Sequence, residues 1–522
     1  ADSAVVQGRV PYNQEDFTFG VWVEDGLAQR DSQEVSVLVS PYTILAGEVT
    51  GVLTQAQSPY LVVEDVIVSA GDSLRIEPGV EIRFQWHPVS DLRHRMVVRG
   101  TLHAVGTPED SIYFLPEYGD SLSLAWRGIQ CIGTEGDTSR ISYAYLCESH
   151  LGVVVDSSAY AILEHIGLDD IRYGVLISRE ACADVDSCRF SVHHPYFNQF
   201  VSVTNATAFI KNCLSEYQVP YEYGMHFLGR YGAMGIIQGC TFIGGNGSKS
   251  EYSSNVDFIG NRIMQSGNSL GFLNGSSGVI ANNILSEIYR LSLFSADSVL
   301  VSNNLLYYSE EGIRWSDPID EVYIVNNILL SNNYGVFQGS SSQPFSNLSY
   351  NDFFNNEINY LNCIPDSTNI FLNPMVQDTI DFRLSLGSPC IDAGDPDPFF
   401  NDPDSTRNDM GCWGGPWGES YPYVPVLSYQ PKPIPTEFAL LPPYPNPFNS
   451  VLVIPFTVPV EMEASINIYN ILGQKVQEYT FPPLPPGVHR VVWNSGSCAS
   501  GLYIIQLISG GKEFNRKVLL LK

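Results

Sequence analysis

Short apolar runs alternate with paired asparagines along much of the chain, most clearly in "VYIVNNILLSNN", Val322–Asn333. Aligned on the second asparagine of each pair, one column holds Asn261, Asn283, Asn304, Asn327 and Asn351. Before them it holds Cys188, Cys213 and Cys240, and before those His165 and Ala144, with steps between 21 and 27 residues. Three positions before each column member lies Ile141, Ile162, Val185, Ile210, Ile237, Phe258, Ile280, Val301, Ile324 or Leu348, all apolar. A repeat of this length, made of short β-prone segments, predicts coils of three strands stacked at about 4.8 Å per coil. Leucine-rich repeats share the length but need a leucine-dominated consensus, which this sequence lacks. The fold class expected is therefore all-β, a right-handed parallel β-helix with its apolar columns inside. His165, Cys188, Cys213, Cys240, Asn261, Asn283, Asn304, Asn327 and Asn351 read as a structural ladder. Asn327 is expected at a left-handed bend, with asparagine amides hydrogen-bonding from coil to coil. The second pair, Asn332-Asn333, has no comparable column.

The same patterns divide the chain. Residues 1–46 carry three alternating segments, "SAVVQGRV", "FTFGVWVE" and "EVSVLVS", expected to cap the first coil or to join subunits. Residues 47–416 are the β-helix, with about fifteen or sixteen coils by repeat length. Residues 417–440 are a Pro-rich extended connector. Residues 441–522 alternate again in Val451–Phe456, Ile466–Tyr469, Val491–Trp493 and Tyr503–Leu507, which predicts a small Ig-like β-sandwich.

Two resemblances rest on these residues. The entry "SPYLVVEDVIVSAGDSLRIEPGVEIRF" and "VVRGTLHAVGTPEDSIYF", with the exit "NPMVQDTIDFRLSLGSPCIDAGDPD", make residues 47–416 resemble the pectin-lyase-like superfamily of bacterial β-helix proteins. "YPNPFNS", "INIYNILGQKV" and "ASGLYIIQLISGGKEFNRKVLLLK" resemble the C-terminal sorting domain of type IX secretion substrates. That second resemblance implies a Bacteroidetes-like source and the type IX secretion machinery as a partner. It also implies a secreted protein of the cell surface or extracellular matrix, after signal-peptide removal.

Charge narrows the partners. The net charge is -29, from 27 Lys+Arg against 56 Asp+Glu. Such a balance repels nucleic acid. No apolar run reaches the length of a membrane span. Ten cysteines without a CxxC pair fit an exported protein. The stacked Cys188, Cys213 and Cys240 are expected as buried free thiols, and one disulfide is expected among Cys363, Cys390 and Cys412.

Candidate chemistry is sparse. The polygalacturonase pattern requires four motifs on neighbouring coils, and only the Asp-Asp is present, as Asp169-Asp170 in "GLDDIRYG". Arg172 follows closely, but no complete lyase constellation is visible, so no catalytic residue is assigned. The pair His193-His194 and His226 lack zinc spacing. Asp395, Asp397, Asp402, Asp404 and Asp409 offer hard oxygen ligands for Ca2+; the alternative is a cap whose aspartates bond local backbone. Trp413 and Trp417 suit capping of the last coil or stacking on sugars.

Two function classes follow. The first is a structural or adhesive protein whose open β-helix ends drive head-to-tail assembly into a homopolymer, a filament or layer. The second is a polysaccharide lyase, a glycoside hydrolase or a glycan-binding protein on the same rod, with an extracellular glycan as partner. Convergent carboxylates and arginines on adjacent coils discriminate the second from the first.

Overall fold

A computed structural model describes residues 17–24, 30–37, 42–87, 92–117, 125–133, 138–192, 198–217, 224–267, 270–316, 321–339, 347–418, 438–441, 443, 446, 448, 451–460, 462–484, 487–496, 498–510 and 512–520. The chain forms two compact units, Ala1–Pro422 and Tyr423–Lys522.

The first unit is a parallel β-helix. Each coil lays one strand on each of three sheets, and every strand pairs in parallel with its counterpart one coil away. Ile129–Ile132, Leu151–Asp156, Tyr173–Ser178 and Asn198–Thr204 are consecutive rungs of the first sheet. Cys182–Asp186 and Thr207–Lys211 belong to the second, and Arg189–Val192 and Leu214–Tyr217 to the third. Rungs run from Thr43 to Leu361. The first coil thus opens at Thr43, ahead of the expected Gly47. Among the described residues, 362–418 add one parallel bridge, Ile370 to Asp352, and no further strand to the coils. Phe17–Glu24 and Arg30–Val37 form a separate antiparallel hairpin. The "SAVVQGRV" segment and most of the Pro-rich connector lie outside the described residues.

Inside, the column of Ile141, Leu163, Val185, Ile210, Ile237, Phe258, Ile280, Val301, Ile324 and Leu348 is fully buried. Leu163, not Ile162, holds the second place, and this corrects one ladder position. His165 adopts φ 53° and is exposed, stacking on Tyr143 with ring centres 4.5 Å apart. Ile166 is the buried residue that pairs with Ala144. The column member is thus one residue further on than expected, and a one-residue shift in a strand moves a side chain to the other face.

The two members of each asparagine pair do different work. Asn282, Asn303 and Asn326, the first members, hold the left-handed backbone at φ 57°, 56° and 61°. The left-handed bend expected at Asn327 is therefore at Asn326. The second members point inward. Asn283 Nδ2 donates to Asn304 Oδ1 at 2.9 Å, Asn304 to Asn327 at 3.0 Å and Asn327 to Asn351 at 2.9 Å. Each Oδ1 also accepts the backbone N–H of the preceding asparagine, as at Asn304 N to Asn327 Oδ1, 2.8 Å. Asn369 extends the column beyond Asn351. Upstream, thiols take the same place: Cys188, Cys213 and Cys240 Sγ donate to Leu163, Val185 and Ile210 carbonyls. Asn332 also belongs to a column, accepting from Ser309 N and donating to Asn356 Oδ1.

The exit segment folds back along the flank of the last coils. Asn282 Nδ2 donates to Cys412 and Gly414 carbonyls, Asn303 Nδ2 to Asp409 O, and Asn326 Oδ1 accepts from Asp395 N. A small apolar core of Ile284, Leu305, Ile328, Phe382, Met410 and Cys412 seals the seam. All ten cysteines are free. The disulfide expected among Cys363, Cys390 and Cys412 is not formed: Cys363 packs against the main core, while the Cys390 thiol donates to Asp352 Oδ2 at 3.3 Å.

The second unit is an antiparallel sandwich. One sheet holds Ala439–Leu440, Val451–Val458 and Gly487–Asn494; the other holds Lys475–Leu484, Met462–Asn470, Gly501–Ser509 and Lys512–Leu520. Leu452, Ile454, Phe456, Ile466, Ile468, Trp493, Ile505 and Leu507 fill its core.

Candidate functional site

The clearest concentration of chemistry sits where third-sheet strands turn into the first sheet. In two successive coils this turn is short and built alike. Glu148 and Asp170 take the left-handed position at φ 51° and 50°. Ser149 and Ile171 follow and are buried. His150 and Arg172 come next and are half-buried. Upstream, Arg93 pairs antiparallel with Trp86 and is followed by His94 and Arg95, and Arg127 lies on the next coil. Backbone bonds fix the stacking: Arg127 N to His94 O at 2.9 Å, His150 N to Trp126 O at 2.8 Å, Tyr173 N to His150 O at 3.2 Å and Gln199 N to Arg172 O at 2.9 Å. Arg127, His150 and Arg172 thereby line one edge of the β-helix on neighbouring coils, with Arg93 next to His94 on the coil before Arg127.

The electrostatics follow from that placement. Burial, and then the Arg172, Arg93 and Arg127 guanidinium groups, hold the His150 imidazole below its ordinary pKa. Arg172 Cζ lies 5.4 Å from the centre of the Tyr173 ring, which meets His150 edge-on at 5.7 Å. Arg172 Nε is buried without a hydrogen-bond partner. Among the described residues no carboxylate forms an ion pair with Arg127 or Arg172. Arg95 differs, bonding Asp65 at 2.9 Å and Gln130 at 3.2 Å. Of the expected Asp169-Asp170 pair, Asp169 accepts bonds from Tyr145 Oη and Ser191 Oγ, both 2.8 Å, while Asp170 occupies the turn. The cationic edge escaped the repeat reading because Arg93, Arg127, His150 and Arg172 are unevenly spaced. The usable signal is positional: His150 and Arg172 each lie two residues after a left-handed turn residue.

The other sequence candidates are placed differently. His226 is fully buried, bonded at Nδ1 to Ser215 Oγ and at Nε2 to Gly244 O, and burial pulls its pKa down to about 4. His193-His194 lie outside the described residues. Each of the five acidic cap residues engages nearby backbone. Asp395 accepts from Asp397 N, Asp397 from Phe399 N, Asp402 from Asp409 N and Gly415 N, Asp404 from Thr406 N, and Asp409 from Asp392 N. Among the described residues no three His, Cys, Asp or Glu side chains gather in a metal-holding group. Trp413 Nε1 donates to Asp381 O, and its ring lies under Arg383 at 3.7 Å; Trp417 meets Phe399 edge-on.

The cap carries a pH dependence of its own. Burial raises the Asp352 and Asp402 carboxyls from 3.8 to about 6. The folded cap then holds protons that the unfolded chain releases, so this stabilisation is full below the ordinary carboxyl pKa and is lost as pH rises through about 6. Hydrogen exchange at residues 388–412 is expected to quicken relative to the mid-rod strands above that pH. Asp352→Asn should flatten the change; an unchanged ratio between cap and rod would refute it.

A second cluster lies on the outer face of the first sheet. Glu311 bonds Arg290 Nη1 at 2.9 Å and Arg314 Nη1 at 3.1 Å. Both guanidinium groups lie against Phe294, and Arg314 also against Phe337. Glu311 is only 13% exposed, so Glu311→Ala leaves two shielded cations facing each other. A loss of about 2 kcal/mol in urea-unfolding free energy is expected, with Glu311→Gln losing less; equal stability of both variants to the parent would contradict the brace.

Residues 443–521 match the model of the secretion system C-terminal sorting domain. Among curated proteins none matches the chain. Of solved structures, the chain is similar to the tailspike protein gp49 of Acinetobacter baumannii bacteriophage Fri1, a capsular polysaccharide depolymerase. That match has 8% identity, covers 86% of this chain and 73% of the tailspike, and has a TM-score of 0.31. The enzymatically active domain of tailspike protein 4 from bacteriophage CBA120 matches at 12% identity over 87% of this chain and 62% of that one, with a TM-score of 0.16. The chain is a secreted parallel β-helix protein that carries a type IX secretion sorting domain at its C-terminal end.

Proposed function

We propose that this secreted β-helix engages an acidic extracellular polysaccharide along the edge formed by Arg93, Arg127, His150 and Arg172. The observation that supports it is the coil-by-coil stacking of Arg127, His150 and Arg172, without an ion pair to Arg127 or Arg172 among the described residues, in a chain whose net charge is -29. Clustered like charges raise the energy of the free protein, and a polyanion relieves that repulsion. Guanidinium groups match carboxylates and sulfates by paired hydrogen bonds. Glu148 and Asp170, on the same turns, supply carboxylates for acid–base work if the bound glycan is also cleaved.

The test is calorimetric titration with polygalacturonate and with neutral dextran. Binding of polygalacturonate alone, weakening steeply as salt is added, is expected. Equal affinity for dextran, or salt-independent binding, would sink the reading. New chain ends in the bound glycan would distinguish a cleaving enzyme from a binding protein.

The structural or adhesive reading is supported by a different observation. Among the described residues the opening strands Thr43–Glu48 and Gly51–Leu53 pair on one side only, and Ile44 and Val52 are 52% and 46% exposed. An uncovered edge of this kind recruits another strand. Concentration-dependent sedimentation of the full chain tests it, and a monomer at all concentrations would exclude it.

A further inference from the structure

We infer that binding of an acidic glycan at this edge is coupled to protonation of His150, so that the site holds its ligand more tightly in mild acid. The inference rests on the binding reading above and adds its regulation.

The coupling follows from which groups face the imidazole. On the coil before it lies Arg127, and on the coil before that lie Arg93, His94 and Arg95, the last paired to Asp65. On its own turn lies Glu148. On the coil after it lie Arg172 and Tyr173, with Asp170 at the turn. Among the described residues neither ring nitrogen of His150 takes a hydrogen bond. The imidazole is therefore half-buried in a largely cationic surround, and a proton added there meets guanidinium groups on both sides. This agrees with the direction of its displaced pKa.

A bound polyanion changes that balance. Its carboxylates or sulfates sit against the guanidinium groups and cancel their repulsion of a further positive charge. Imidazolium then becomes favourable and adds one more cation to the ligand's contacts. By linkage, a ligand that promotes protonation is itself bound more tightly when protons are abundant. The dependence lies between the His150 pKa of the free protein and that of the complex, and cannot exceed about tenfold in Kd per pH unit for one proton.

Dextran sulfate and polygalacturonate serve as the probes. Sulfate stays ionised throughout, so its pH dependence comes from the protein. Affinity of the full chain for both is expected to rise severalfold between about pH 7.5 and about pH 5.5, the range in which imidazoles titrate. His150→Gln should bind without that rise. In parallel, the His150 ring resonances should report a higher pKa once dextran sulfate is added. Binding that is flat with pH, a rise that survives in His150→Gln, or an unshifted ring pKa would each overturn the coupling while leaving the binding site standing. Failure of both probes to bind at any pH would overturn the site and the coupling together.

Discussion

Asn304→Ala is expected to remove about 4 kcal/mol of unfolding free energy. The Asn304 side chain is fully buried and saturated. Its Nδ2 donates to Ile280 O at 2.7 Å, Asn327 Oδ1 at 3.0 Å and Ser302 O at 3.1 Å. Its Oδ1 accepts from Asn283 N and Nδ2, both 2.9 Å. Truncation orphans partners in the coils before and after, each at roughly 1–3 kcal/mol, and leaves a cavity between them. Asn304→Asp should be worse, because a carboxylate offers only acceptors to the carbonyls that Nδ2 served. Urea unfolding followed by far-ultraviolet dichroism measures both. A loss under about 1 kcal/mol would mean the column is not a structural spine.

Arg127→Ala combined with Arg172→Ala is expected to weaken polygalacturonate binding by about 100-fold or more. Each guanidinium lost removes charge-assisted bonds of about 1.5–3 kcal/mol, and about 1.4 kcal/mol is tenfold in affinity. Arg127 is exposed and Arg172 half-buried, on the rim of the turns rather than in the core. The double variant should therefore melt close to the parent, and calorimetry should separate lost binding from lost folding. Arg127→Lys with Arg172→Lys should recover only part of the affinity, because an ammonium keeps the charge but not the planar fork. Full retention of affinity by the alanine pair would move the site elsewhere.

The fold was legible because its period is carried by buried residues that cannot vary freely. Asn283, Asn304 and Asn327 each satisfy two coils, so their spacing records the coil length directly. His165 shows where this fails. It lies beside the ladder residue Ile166, and neither an asparagine nor a cysteine marks the register in that coil. A one-residue error there turns an exposed ring into an apparent core residue. The bend expected at Asn327 is made by Asn326, and Asn282, Asn303 and Asn326 anchor the returning exit segment. That role depends on residues 393–414, too far away in the chain for any local pattern to record.

The site was far less legible. Arg93 and Arg127 precede the regular repeats, so no spacing ties them to His150 or Arg172. In "GLDDIRYG" the aspartates are the prominent pair, whereas Arg172 joins the other cations only through the coil register that stacks it after His150 and Arg127. Outward residues answer to solvent and ligand rather than to the packing that imposes a period. The acidic exit segment shows the reverse: a cluster prominent in sequence, Asp395 to Asp409, whose carboxylates mostly close local turns.

Hydrogen exchange of the full chain with and without saturating polygalacturonate tests the central claim most directly. The account predicts slowed exchange in residues 93–95, 126–128, 149–151 and 171–173, with the acidic cap and the sorting domain unaffected. Protection confined to the cap, to the sorting domain or to the exposed opening coil, with the Arg127–His150–Arg172 edge unchanged, would contradict it.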